Sequence, residues 1–86
     1  MNHMDIKSLK AEECHYPNII AEMQERDIDF EKMADIMKLK SAELTADILV
    51  LGKNTKKFKA ENLLNMLEVF EQSPNYYIRR KRENLA

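Results

Sequence analysis

FEKMADIMKLKSAEL, residues 30–44, is the stretch whose reading decides the fold. Asp29 stands just before it and is a good N-cap, because its carboxylate can accept an orphan backbone N–H. Phe30, Met33, Ala34 and Met37 then recur at helical spacing and mark one buried face. Lys38-Leu39-Lys40 breaks the period, and Leu39 is placed to plug the corner between two helices. Ser41 can cap a second helix, with Glu43 favourable in its first turn. Leu44, Ile48 and Leu51, spaced by four and by three, predict the inward face of that helix. Leu49 and Val50 lie off this stripe. The helix is therefore apolar over much of its circumference and must bury a second side, against the domain or a partner.

Working outward, Tyr16-Pro17-Asn18 can open an earlier helix, since proline's fixed φ suits a first turn. Its apolar stripe is Ile19, Ile20 and Met23, and Ile28 follows a polar stretch. Downstream, Gly52 is a natural helix-ending residue able to adopt positive φ. KNTKK, residues 53–57, is a polar basic loop. Phe58 then leads into a periodic helix carrying Leu63, Leu64, Met66, Leu67 and Phe70, which Gln72 ends. Ser73-Pro74 restarts a short helix, and Tyr76, Tyr77 and Ile78 are expected to pack back on the core. Residues 1–15 fit a short helix or a loose arm equally. His3-Met4 matches what a common cloning site encodes, so residues 1–3 read as a possible remnant. No stretch alternates long enough to predict a strand. The expectation is an all-α fold of five helices: an arm over 1–15, a domain over 16–78 and a basic tail over 79–86.

Composition agrees with a single globular domain. The chain has 86 residues, 34% charged and 44% apolar, with one Gly and two Pro; an all-β chain needs more turn residues. There is no apolar run long enough for a membrane span and no signal-peptide pattern. The lone Cys14 excludes an internal disulfide and fits a reducing cytoplasm. The net charge of −1 hides an asymmetry. Residues 1–37 carry 4 basic and 9 acidic side chains, whereas residues 38–60 carry 6 basic and 2 acidic. A near-neutral chain with one cationic stretch can still bind phosphate through it.

With these helices placed, the chain resembles the phage Cro/repressor (Xre-type) helix-turn-helix family over about residues 16–78. YPNIIAEMQERDID is similar to that family's first helix and turn. FEKMADIMKLKSAEL is similar to its second helix, turn and start of the third, with Ala34 at the small position where the two helices cross. GKNTKKFKAENLLNMLEVF is similar to its glycine–lysine loop, aromatic and fourth helix, and SPNYYI to its short closing helix. The chain departs from that pattern in three places. Lys38 stands where the family has Gly, the stretch from Leu39 to Gly52 is about two residues longer, and the third helix lacks the usual polar base-readers. The resemblance implies a lambda-repressor-like DNA-binding fold with its helix-turn-helix at about 30–51, and a homodimer on two-fold DNA. Its third helix (about 41–51) would enter the major groove of double-stranded DNA, making the protein a transcription regulator of phage or prophage type.

Under that reading the N-terminal end of the third helix offers Lys40, Ser41, Glu43 and Thr45 to bases. Lys53, Asn54, Lys56, Lys57 and Lys59 would hold phosphate, which supplies most of the affinity. Asp47, if exposed, would repel the backbone. The alternative is a protein-interaction module, antirepressor-like or binding a host protein, which keeps the scaffold without base reading and docks through Leu49 and Val50. The remaining residues point to no enzyme and no cofactor. The carboxylates are scattered along helix surfaces and no Gly-rich phosphate loop is present. Cys14-His15 with His3 matches no zinc spacing. The methionines at helical spacing read as core filler, and IRRKR, residues 78–82, as a cationic helix end.

Overall fold

The computed structural model describes residues 5–81. It is all-helical, with five α-helices and, among the described residues, no strand. α1 spans Pro17–Arg26, α2 Phe30–Met37, α3 Ala42–Ala46, α4 Ala60–Val69 and α5 Pro74–Ile78. α3 continues without interruption into a π turn, Asp47–Leu51, and a 3-10 turn follows at Thr55–Lys57. Two further 3-10 turns, Ile6–Ser8 and Ala11–Glu13, lie along α1.

Local chemistry accounts for the helix starts. The Asp29 carboxylate accepts from the Lys32 N–H at 2.8 Å, and Ser41 Oγ accepts from the Leu44 N–H at 3.0 Å. Ser73 Oγ accepts from the Tyr76 N–H at 3.3 Å, with Pro74 in the first turn. The helix ends use left-handed residues: Asp27 closes α1 at φ 61, Lys38 closes α2 at φ 62, and Gly52 closes the π turn at φ 70. For a lysine such a conformation costs about 1 kcal/mol, so α2 ends against a local penalty that packing must offset.

The core is one cluster. Ile19, Ile20 and Met23 from α1 meet Phe30, Met33 and Met37 from α2, Ile48 and Leu49 from the π turn, Met66 and Phe70, and Tyr77 from α5. Met23, Met33, Met37 and Met66 are fully buried, the core-filling role expected of flexible thioethers. Residues 5–15 are packed against the rest: Ile6 and Cys14 are buried, and Gln24 Nε2 donates to the Ile6 and Leu9 carbonyls at 2.9 and 2.8 Å. At the far end, Asn18 Nδ2 donates to the Tyr76 carbonyl at 2.8 Å and fastens α5 to α1.

Three sequence expectations are corrected. The stripe Leu44, Ile48, Leu51 is not the inward face: Ile48 is buried, Leu44 is half-buried and Leu51 is 52% exposed. Thr45, Ile48 and Leu49, at helical spacings of three and four from Thr45, carry the buried face instead, so Leu49 lies inward and Leu51, two residues on, points out. Leu49, fully buried, is thus core and no docking surface. Ile78, expected to pack back on the core, stands 44% exposed, as does Leu64 of the periodic helix at 58%.

Candidate nucleic-acid interface

The turn from α2 to α3 and the loop that follows α3 carry Lys38, Lys40, Lys53, Lys56, Lys57 and Lys59, every one exposed. Among the described residues none of them forms an ion pair. Ser41, Glu43 and Asn54 are also exposed, while Asp47 is half-buried. Ser41 is already engaged: its Oγ caps α3, and its carbonyl accepts the Thr45 N–H at 3.0 Å.

Thr45 does not belong to this surface. Its side chain is fully buried, and its hydroxyl donates to the Ser41 carbonyl at 2.8 Å. A threonine that bonds one turn back satisfies its hydroxyl within the helix, so it can face α2 without leaving a polar atom unpaired. Thr45 is therefore a packing residue and is withdrawn from the candidate base contacts.

What brings the two cationic segments together is Asn62, which sequence reading missed. Its Oδ1 accepts the Lys59 N–H at 2.7 Å, half of a capping box for α4. Its Nδ2 donates to the Met37 carbonyl at 2.8 Å, and Asn65 Nδ2 reaches the same oxygen at 3.4 Å. Met37 immediately precedes Lys38. One buried side chain thus joins the start of α4, with Lys59, to the end of α2, with Lys38 and Lys40 one and three residues on. An asparagine two residues after an apolar-poor KKFKA segment gave only a cap signal; the second bond needs the tertiary fold.

Gly52 is required twice. It sits at φ 70, and a Cβ added there would lie 2.6 Å from His15 Nδ1. The His15 ring meets Tyr16 edge-on at 4.9 Å, and Tyr16 meets Phe58 the same way at 5.1 Å. This aromatic row anchors the loop's last residues on the segment before α1. The pair Cys14-His15 is thereby placed as packing: Cys14 is buried, with Sγ against the Lys10 carbonyl at 3.5 Å. His3 lies outside the described residues. Among the described residues no group of three or more His, Cys, Asp or Glu is arranged to hold a metal ion, and no helix is long and apolar enough to cross a membrane. No family model, curated protein or solved structure matches the chain.

Proposed function

We propose that the protein is a small DNA-binding regulator of phage or prophage type. α2, the turn 38–41 and α3 act as its helix-turn-helix, with Lys40, Ser41 and Glu43 toward base edges. The lysines of loop 53–59, with Asn54, hold the phosphate backbone. The observation that carries this reading is the Asn62 bridge, which ties the main chain at Lys59 to the end of α2, one residue before Lys38. Cations that find no carboxylate among the described residues, on two segments held at fixed spacing, suit a polyanion better than scattered solvated lysines do. Lys38 joins the set because the left-handed turn leaves its side chain in solvent.

The test is binding to a mixed-sequence duplex of about 20 base pairs, followed by fluorescence anisotropy as salt rises. Four or five neutralised phosphates give a log–log slope near about −4. The double charge reversal Lys56→Glu, Lys57→Glu should lower affinity at least about tenfold and flatten the slope by about 2. Absence of binding at about 50 mM salt, or a slope near zero, would overturn the reading. The protein-interaction alternative retains one observation in its favour: Leu51 is exposed beside the half-buried Val50.

A further inference from the structure

Three stretches far apart in the sequence meet in one cleft. Tyr16, Phe58 and Leu63 line it with Ile78, Lys59 and Arg80, and it holds about 270 Å³. Two contacts fix its walls. The Lys81 N–H donates to the His15 carbonyl at 2.8 Å, which keeps Ile78 and Arg80 beside Tyr16. Phe58 meets the Tyr16 ring edge-on at 5.1 Å. Tyr16 is buried, Phe58 and Leu63 are half-buried, and the three give the cleft an apolar interior. Ile78, which the core leaves 44% exposed, extends it.

The polar part of the lining is cationic and short of partners. Lys59 and Arg80 are exposed, and among the described residues neither forms an ion pair. No carboxylate stands among the lining residues. Tyr16 is only 8% exposed, yet its hydroxyl makes no hydrogen bond among the described residues and is not sealed from solvent. The cleft is the opening onto which that side chain faces. Ala60, also in the lining, and Glu61 begin α4, and their N–H groups find no main-chain acceptor among the described residues. A buried hydroxyl without a partner calls for a polar atom beside it, and two cations at the same mouth call for a negative one.

We infer that this cleft binds a small amphipathic carboxylate, with its head at Lys59 and Arg80 and its apolar body on Phe58 and Leu63. The planar head suits the guanidinium fork of Arg80, which can donate two parallel hydrogen bonds. The Tyr16 hydroxyl supplies a further donor. A cavity of about 150 Å³ holds benzene, so one of 270 Å³ holds a body and head of about ten heavy atoms. Lys59 cannot serve this head and a DNA phosphate at once. On the DNA-binding reading proposed above, the bound carboxylate therefore removes one backbone contact and weakens the duplex complex. The site itself does not rest on that reading.

The probe is 4-phenylbutyrate, followed through the amide chemical shifts of the DNA-free protein. Saturable shifts at residues 59–63 and 78–80 are expected, with a dissociation constant of about 0.1–1 mM for so small a ligand. The uncharged 4-phenylbutyramide and inorganic phosphate, which lacks the apolar body, should each bind at least about tenfold more weakly. Arg80→Gln should weaken the carboxylate about tenfold. Ala60→Leu fills the cleft from an exposed position and should abolish binding with unchanged circular dichroism. No saturation by about 5 mM, an amide that binds as well as the acid, or an Ala60→Leu variant that still binds would overturn the site. In the duplex assay about 5 mM 4-phenylbutyrate should weaken binding by the wild type about fivefold and leave Ala60→Leu unaffected. Carboxylate binding by a chain that holds no duplex would keep the site and overturn the DNA reading. Carboxylate binding that leaves duplex affinity unchanged would overturn the competition at Lys59.

Discussion

The side-chain amide of Asn62 donates to the main-chain carbonyl of Met37 at 2.8 Å, so the fourth helix closes the last turn of the second. Removing it leaves a carbonyl at the end of α2 and the Lys59 N–H without partners. Unpaired buried groups cost about 1–3 kcal/mol each, with Asn65 covering part of the first. Asn62→Ala is therefore expected to lose about 2 kcal/mol, read as a fall of about 10 °C in thermal midpoint. A shift below about 2 °C would mean the bridge is replaceable by water.

Gly52→Ala combines two penalties. A left-handed alanine costs about 1 kcal/mol, and the new methyl would press on the His15 ring. The expected loss in chemical denaturation is about 2–3 kcal/mol. The pair Gly52→Ala, His15→Ala should recover the steric part and keep the conformational part, separating the two causes.

At Lys38 the same conformational argument runs in reverse. Lys38→Gly relieves the left-handed backbone, at φ 62, that ends α2. It should raise stability by about 0.5–1 kcal/mol, with some of the gain offset by a freer unfolded chain. Lys38→Ala, which keeps the Cβ, should give no such gain. Equal effects of the two substitutions would place the strain elsewhere.

Tyr77 predicts an alkaline transition. Its hydroxyl is buried without a hydrogen-bond partner among the described residues, and burial first, then the Glu22 carboxylate, pushes its pKa up to about 12. Arg26 opposes the rise, and the Gln72 N–H counters it weakly without reaching hydrogen-bonding geometry. An unfolded tyrosine ionises near about 10, so the unfolded chain loses its proton first. The contribution is complete below about pH 10 and is lost as pH climbs toward 12, by about 2–3 kcal/mol. Stability measured against pH should fall in that window, and Tyr77→Phe should flatten this fall while costing little at neutral pH.

Cys14 should be inert. Burial, then the Glu13 and Glu12 carboxylates, raise its pKa, against a smaller lowering by Lys81. Thiolate is the reactive form, so a disulfide reagent at about pH 8 should modify the native protein about a hundredfold more slowly than the unfolded one. Equal rates would mean residues 5–15 detach readily from α1.

The features legible in the sequence are those decided within a few residues. Asp29, Ser41 and Ser73 cap because a short oxygen-bearing side chain precedes an apolar period, and Gly52 takes positive φ because no Cβ opposes it. The buried faces of α1 and α2 follow from unbroken spacing. In α3 the inward face runs through Thr45, Ile48 and Leu49, about a quarter turn round from the stripe Leu44, Ile48, Leu51, and a polar threonine at its start hides it from an apolar count. Thr45 was misread as a base contact because its hydroxyl looks available until its bond to Ser41 is known. Asn62 escaped notice because its second partner lies in a different helix. Within the candidate site, the lysines were legible as a charge run, but what holds them beside the turn was not.

The main chain at His15 has a further consequence. Its N–H donates to the Val50 carbonyl at 3.0 Å, and its own carbonyl accepts from the Lys81 N–H at 2.8 Å. The main chain of one residue is thus bonded both to Val50 and, 66 positions beyond its own in the sequence, to Lys81. Contacts between such distant segments form only after most loop-closure entropy has been spent. This seam is therefore among the last parts to assemble during folding, and the amides of His15 and Lys81 should exchange with solvent together.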